Sequence, residues 1–182
     1  ARTLDGKTCV IVGVGLIAEA LAPRCKALGM KVVGVSGTPR DLPGFDRMEP
    51  RARLLEAIAE ADHLVLLLPH SPETNEIIDT RAIAAMKKTC YLTNLARGGV
   101  VDERALQEAL ENKRIAGAAL DVFATEPLPP NHPFWDMENV IVTPHLGGFF
   151  EEYPDYALPV IEENFRRWLK GERRDLINFV QA

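Results

Sequence analysis

Thr8-Cys9-Val10-Ile11-Val12-Gly13-Val14-Gly15-Leu16-Ile17-Ala18 (TCVIVGVGLIA) is the stretch that decides the fold. A short apolar run ending in glycine reads as a strand buried on both faces. Gly13, Gly15 and Ala18 then follow the spacing G-x-G-x-x-A. The first glycine permits a tight turn, and the second lets phosphates approach the backbone. A small residue in third place lets the next helix pack closely on the strand. Helical spacing runs over 17–28 and stops before Gly29, a favoured helix-ending residue. The N–H groups that open this helix, from Leu16 and Ile17, face no helical acceptor and suit an anion. The plain alternative is a glycine-rich turn that binds nothing.

Outward from this unit, apolar runs and amphipathic stretches alternate. Strands are expected at 8–13, 31–35, 63–68, 89–95, 115–120 and 139–143. Helices are expected at 51–59, 80–86, 102–111 and 156–170, and residues 39–50 read as loop, with three prolines and Gly44. Such alternation predicts an α/β fold: a Rossmann-type, doubly wound parallel sheet with helices on both faces. Ligands of these sheets bind just past the carboxyl ends of the strands.

The 182 residues suffice for one compact domain with a sizeable core. A net charge of −5 offers no global field for nucleic acid or an anionic membrane. No apolar run approaches the roughly 18 residues of a membrane helix, and no secretory signal pattern is visible. Cys9, Cys25 and Cys90 lack metal-ligand spacing and read as small buried hydrophobes in a reducing, cytoplasmic compartment. His63 and His132 also lack metal spacing. Trp135 and Trp168 read as packing residues.

About twenty residues after the glycine turn, an NAD site carries an acid for the ribose hydroxyls. Here the sequence is VVGVSGTPR, and Ser36 stands in that place. Ser36 removes a charge that would repel a 2′-phosphate. Thr38 adds a hydroxyl, and Arg40 a guanidinium fork suited to phosphate. NADP is therefore the expected cofactor, ahead of NAD. The alternative is a solvated loop with Arg40 in water and NAD bound through the rest of the site.

Three charged or titratable residues fall just past strand ends: Arg97 in NLARGGVVDE, Glu126 in LDVFATEPLPP and His145 in VTPHLGG. Together they suit carbonyl reduction. An arginine can hold a substrate carboxylate bidentately, and a histidine can protonate the keto oxygen. A carboxylate on the other imidazole nitrogen fixes the tautomer and favours the charged ring. Singly, each is equally at home as a turn or surface residue.

The segments GKTCVIVGVGLIA, HSPETNEIID, NLARGGVVDE, GAALDVFATEPLP and ENVIVTPHLGG, in this order, resemble the D-isomer-specific 2-hydroxyacid dehydrogenase family from about Leu4 to about Val180. That resemblance implies Arg97 as substrate-binding residue, Glu126 as histidine partner and His145 as acid/base. It also implies that Asp121 lies near the nicotinamide carboxamide and Thr74 near a cofactor phosphate or ribose. Leu95, Ala96 and Arg97, with His145, Gly147 and Gly148, correspond to cofactor-contacting segments. Departures from the pattern are Ala18 for the third glycine and Ser36 for the acid. His70 is open between a loop role and the adenine or ribose side. Phe149, Phe150 and Tyr153 are open between a substrate floor and a subunit interface.

Members of this family carry a second, substrate domain, and residues 1–182 correspond to the dinucleotide-binding domain alone. The expectation is a fragment that binds the dinucleotide but turns over 2-oxo acids poorly. The resemblance implies NAD(P)H-dependent reduction of a small 2-oxo acid, of the glyoxylate or hydroxypyruvate class, in a homodimer. The alternative is a dinucleotide-sensing transcriptional corepressor, which some relatives are.

Overall fold

The computed structural model describes residues 3–179. The chain forms two compact units that divide after His145. The first holds a seven-stranded, wholly parallel sheet: β1 (Thr8–Val12), β2 (Lys31–Ser36), β3 (Arg47–Pro50), β4 (His63–Leu66), β5 (Tyr91–Asn94), β6 (Gly117–Leu120) and β7 (Val140–Val142). Their spatial order is β3-β2-β1-β4-β5-β6-β7. The order reverses between β1 and β4, which opens a crevice at their carboxyl ends.

Strand β1 shows why its sequence is apolar without alternation. Cys9 and Ile11 join one core cluster with Ala18, Ala22 and Cys25 of helix α1 (Leu16–Ala27). Val10 and Val12 point the other way, into the larger cluster. That cluster takes in α2 (Leu54–Glu60), α3 (Thr80–Ala85) and α4 (Glu103–Glu111), through Ile58, Ile83, Leu106 and Leu110 among others. Side chains alternate across a strand, so helices on both faces demand apolar residues at every position. Asp79 and Asp102 cap α3 and α4, accepting hydrogen bonds from the N–H groups of Ala82 and Ala105 at 2.8 and 2.9 Å.

The loop expected at 39–50 is corrected at its end: Arg47–Pro50 is the edge strand β3, with Ser36 opposite Pro50. Its four residues, Arg-Met-Glu-Pro, carry no apolar run. Glu49 is buried and held by Arg47 at 2.7 Å and Arg53 at 3.1 Å. Charge and proline are what protect an exposed sheet edge, and they erase the usual strand signal. The helix expected at 51–59 opens as a 3₁₀ turn at Arg51–Arg53 before α2 begins.

All three cysteines are free and buried. Burial pushes the Cys90 thiol up to about 12 and the Cys9 thiol higher still. Trp135 is half-exposed rather than packed, and its indole N–H donates to the Pro129 carbonyl at 2.9 Å.

The second unit contains helix α5 (Tyr153–Leu169). None of its residues is buried, Trp168 included, and Arg173 lies over the Trp168 ring at 4.3 Å. Among the described residues, no helix is long and apolar enough to cross a membrane.

Candidate active site and dinucleotide cleft

The turn after β1 is built for close approach. Gly13 has φ +92°, and a Cβ there would come within 2.4 Å of the Leu68 backbone nitrogen. Only glycine adopts this conformation with β4's exit so near. At Gly15 the requirement is different, because a Cβ would meet nothing within 4 Å and would instead fill open space above the turn. Gly15 also caps α1 without a side-chain hydrogen bond, which leaves the first amides of the helix free for an anion. Ala18 is fully buried beneath the turn, so its methyl fits where the pattern has glycine. This cradle fits a pyrophosphate.

A cavity of about 310 Å³ runs from this turn to the end of β2. Gly13, Gly15, Ser36, Gly37, Arg51 and Thr74 line it, along with the segment around Leu68. Thr74 is buried, and its hydroxyl donates to the Pro69 carbonyl and accepts from the Ser71 N–H, both at 2.7 Å. It shapes the 69–74 loop from within. The Ser36 hydroxyl accepts the Thr38 N–H at 3.2 Å and closes the loop after β2. Arg40 does not line the cavity; its guanidinium pairs with Glu19 at 2.5 Å.

A larger cleft, about 900 Å³, lies past β4, β5 and β6. Arg97, Glu126 and His145 all line it, with Leu95, Ala96, His70 and, at the α1 end, Ile17. Three residues spread over 49 positions of sequence (97 to 145, inclusive) thus share one wall. His145 Nδ1 and Glu126 Oε2 lie 2.7 Å apart. The other carboxylate oxygen, Oε1, accepts the Phe123 N–H at 3.0 Å. The hydrogen bond from His145, joined by the Phe123 amide and the charges of His145 and Arg97, outweighs the opposing effect of burial and holds the Glu126 carboxyl below the usual range.

His145 sits at φ +55°, in the left-handed region. Non-glycine residues there carry strain and persist where surrounding contacts fix them. Here the His145 N–H donates to the carbonyls of Asp121 at 2.9 Å and Thr143 at 3.1 Å. Asp121 is itself buried, with Oδ1 accepting the Thr143 hydroxyl at 2.5 Å. Asp121 and Thr143 therefore aim the turn that carries the imidazole. Gly147 and Gly148 fall beyond the boundary at His145, in the second unit.

Sequence reasoning missed Asn94, the last residue of β5. It is almost fully buried. Its Oδ1 accepts the Ala96 N–H at 3.0 Å, and its Nδ2 donates to the Arg97 carbonyl at 3.1 Å. This clip fixes the segment 95–97 that presents the Arg97 side chain. Gly98 continues the turn under the tightest constraint in the cleft: a Cβ there would lie 1.9 Å from the Phe123 carbonyl oxygen. His70 lies against Gly99 on the cleft side, and its Nε2 is 2.9 Å from Asn75 Oδ1. The available signal for Asn94 was its place, a polar residue ending a buried strand just ahead of the turn that carries Arg97. Among the described residues no cluster of histidine, cysteine and carboxylate side chains could hold a metal.

The chain matches known proteins along nearly its whole length. A family model described as D-isomer specific 2-hydroxyacid dehydrogenase, NAD binding domain, matches residues 1–147. The chain is 39% identical over 170 residues to D-3-phosphoglycerate dehydrogenase of Methanocaldococcus jannaschii, covering 93% of this chain and 32% of that one. It is 37% identical to glyoxylate reductase of Korarchaeum cryptofilum, covering 92% and 50%. The chain thus spans half or less of the length of these two relatives. Among solved structures, a D-isomer specific 2-hydroxyacid dehydrogenase from Xanthobacter autotrophicus Py2, in complex with NADPH and MES, superposes with a TM-score of 0.91 at 38% identity. That match covers 99% of this chain and 73% of the other. With the crevice, the glycine cradle and these matches in agreement, the chain belongs to the D-isomer specific 2-hydroxyacid dehydrogenase family, whose NAD-binding domain it matches.

Proposed function

We propose that this chain is the dinucleotide-binding part of an NAD(P)H-dependent reductase of small 2-oxo acids, with glyoxylate or hydroxypyruvate as the substrate class and NADP preferred over NAD. The observation that carries the reading is the His145–Glu126 pair at 2.7 Å in the cleft that Arg97 also lines. The glyoxylate reductase relative and the NADPH-bound structural neighbour support the substrate class and the cofactor. A bound nicotinamide dinucleotide supplies the hydride. The protein's own groups do the rest. Arg97 holds the substrate carboxylate through paired N–H donors and draws charge from the neighbouring carbonyl. With Nδ1 engaged by Glu126, His145 has Nε2 available for substrate. Nε2 gives its proton to the carbonyl oxygen as hydride reaches the carbonyl carbon, so the 2-oxo acid becomes a 2-hydroxy acid. Glu126 keeps the tautomer and stabilises the ring while it is charged. In the reverse direction Nε2 takes the proton back.

Ser36 supports the NADP preference, since no carboxylate there opposes a 2′-phosphate. Assembly through a homodimer agrees with the exposed apolar residues Leu158, Ile161, Phe165 and Trp168 along α5. The three free, buried thiols agree with a cytoplasmic protein. The test is NADPH oxidation by the full-length parent across small 2-oxo acids. Turnover with glyoxylate or hydroxypyruvate, abolished in His145→Ala, is expected. No turnover with any 2-oxo acid refutes the reading.

A further inference from the structure

We infer that Arg51, at the exit of the edge strand, is the guanidinium that binds the 2′-phosphate of NADP, and that Arg40 is not. The inference rests on the NADP preference proposed above and names the residue responsible for it. Four arginines lie between the end of β2 and the start of α2: Arg40, Arg47, Arg51 and Arg53. Arg40 is paired with Glu19 at 2.5 Å. Arg47 is held by Glu49 and Glu60 at 2.7 and 2.8 Å. Arg53 is held by Glu49 and Glu56 at 3.1 and 2.6 Å. Among the described residues Arg51 has no such carboxylate partner. The Arg51 charge reaches the Glu73 carboxylate, which is bonded to the Ser71 hydroxyl at 2.6 Å and forms no ion pair with Arg51.

Position agrees with charge. The parallel register sets Pro50 opposite Ser36, so the chain leaves β3 beside the residue that replaces the ribose-binding acid. Arg51 turns back over that residue's neighbour: its Nη2 lies 3.4 Å from where a Gly37 Cβ would stand. It shares the 310 Å³ cavity with Ser36 and Gly37, whereas Arg40 does not. A cavity that starts at the pyrophosphate cradle and ends at a hydroxyl, an open glycine and an unpaired guanidinium suits an adenosine carrying a second phosphate. The planar fork can meet two phosphate oxygens at once. Recruiting Arg40 instead would first break its contact with Glu19.

The test is calorimetric titration of the 182-residue chain and its variants with 2′,5′-ADP and 5′-AMP, probes that differ only in the 2′-phosphate. The unmutated chain is expected to bind 2′,5′-ADP more tightly. Arg51→Gln should weaken 2′,5′-ADP by roughly 10–100-fold, as expected for lost charge-assisted hydrogen bonds, and leave 5′-AMP within about twofold. Arg40→Gln should leave both nearly unchanged. Circular dichroism of each variant checks its fold, and Arg51→Lys should recover part of the loss. If Arg51→Gln keeps full discrimination and Arg40→Gln loses it, the assignment is overturned while the NADP preference stands. If Arg51→Gln weakens both probes equally, Arg51 acts on adenine and the assignment is also overturned. Equal affinities in the unmutated chain overturn the NADP preference itself.

Discussion

Asn94→Ala tests whether the Arg97 turn depends on a single buried amide. In the native protein Asn94 satisfies the Ala96 N–H at 3.0 Å and the Arg97 carbonyl at 3.1 Å, with its own side chain almost wholly out of water. Truncation removes two hydrogen bonds, each worth about 0.5–1.5 kcal/mol net. It also leaves a donor and an acceptor without their partner, and an unsatisfied buried group costs about 1–3 kcal/mol. Partial access of water to the turn offsets some of this, so about 2–4 kcal/mol is expected. At about 2–4 °C per kcal/mol for a chain of this size, Tm should fall by roughly 5–15 °C. Differential scanning calorimetry measures it. The same variant in the full-length parent should raise KM for the 2-oxo acid more than it lowers dinucleotide affinity, because the disturbed segment carries Arg97. A Tm within about 1 °C of the parent would show that the turn holds its shape without the clip and refute the reasoning.

Glu126→Gln keeps the shape of the His145 partner but removes its charge; kcat of the full-length parent should fall by about 10²-fold or more, the scale of acid–base contributions. Parent-like kcat would show that His145 does not rely on the carboxylate. For Asp62, burial works to raise the carboxyl, but the Thr8 N–H at 2.9 Å and the Lys87 ammonium at 3.2 Å outweigh it and hold the carboxyl low. A depressed folded value means that its stabilisation is complete above about pH 4, the usual carboxylate value, and is lost as pH falls further. Asp62→Asn should therefore cost about 1 kcal/mol near neutrality and flatten the acid limb of the urea-unfolding profile. An unchanged acid limb counts against that linkage.

The fold was legible wherever burial is written directly into residue type. Val10, Ile11 and Val12 must be apolar because layers cover both faces of β1, and that run with its glycines announced a parallel sheet. The turn was equally legible, since Gly13 needs its positive φ wherever this crossover is made. Arg97, Glu126 and His145 were found as strand-end residues, and a parallel sheet gathers such positions at one edge. Strand β3 was not legible. An edge strand is stabilised by backbone pairing to Ser36 and its neighbours and by Glu49 with its arginines, and neither leaves a hydrophobic period.

That one missing strand hid Arg51, which read as the start of a helix until pairing with β2 brought it over Gly37. The sequence by itself determined the layer order, the glycine cradle and the residue types at the strand ends, because these follow from local conformation and burial. Only the tertiary structure decided which charges are spent on each other and which face the cavity. Glu19 and Arg40 lie 21 residues apart, and only folding brings them together. Ion pairing depends on side-chain positions that sequence spacing does not specify, so Arg40, the arginine nearest in sequence, is bound to a carboxylate, and Arg51 beyond the edge strand is left to face the site.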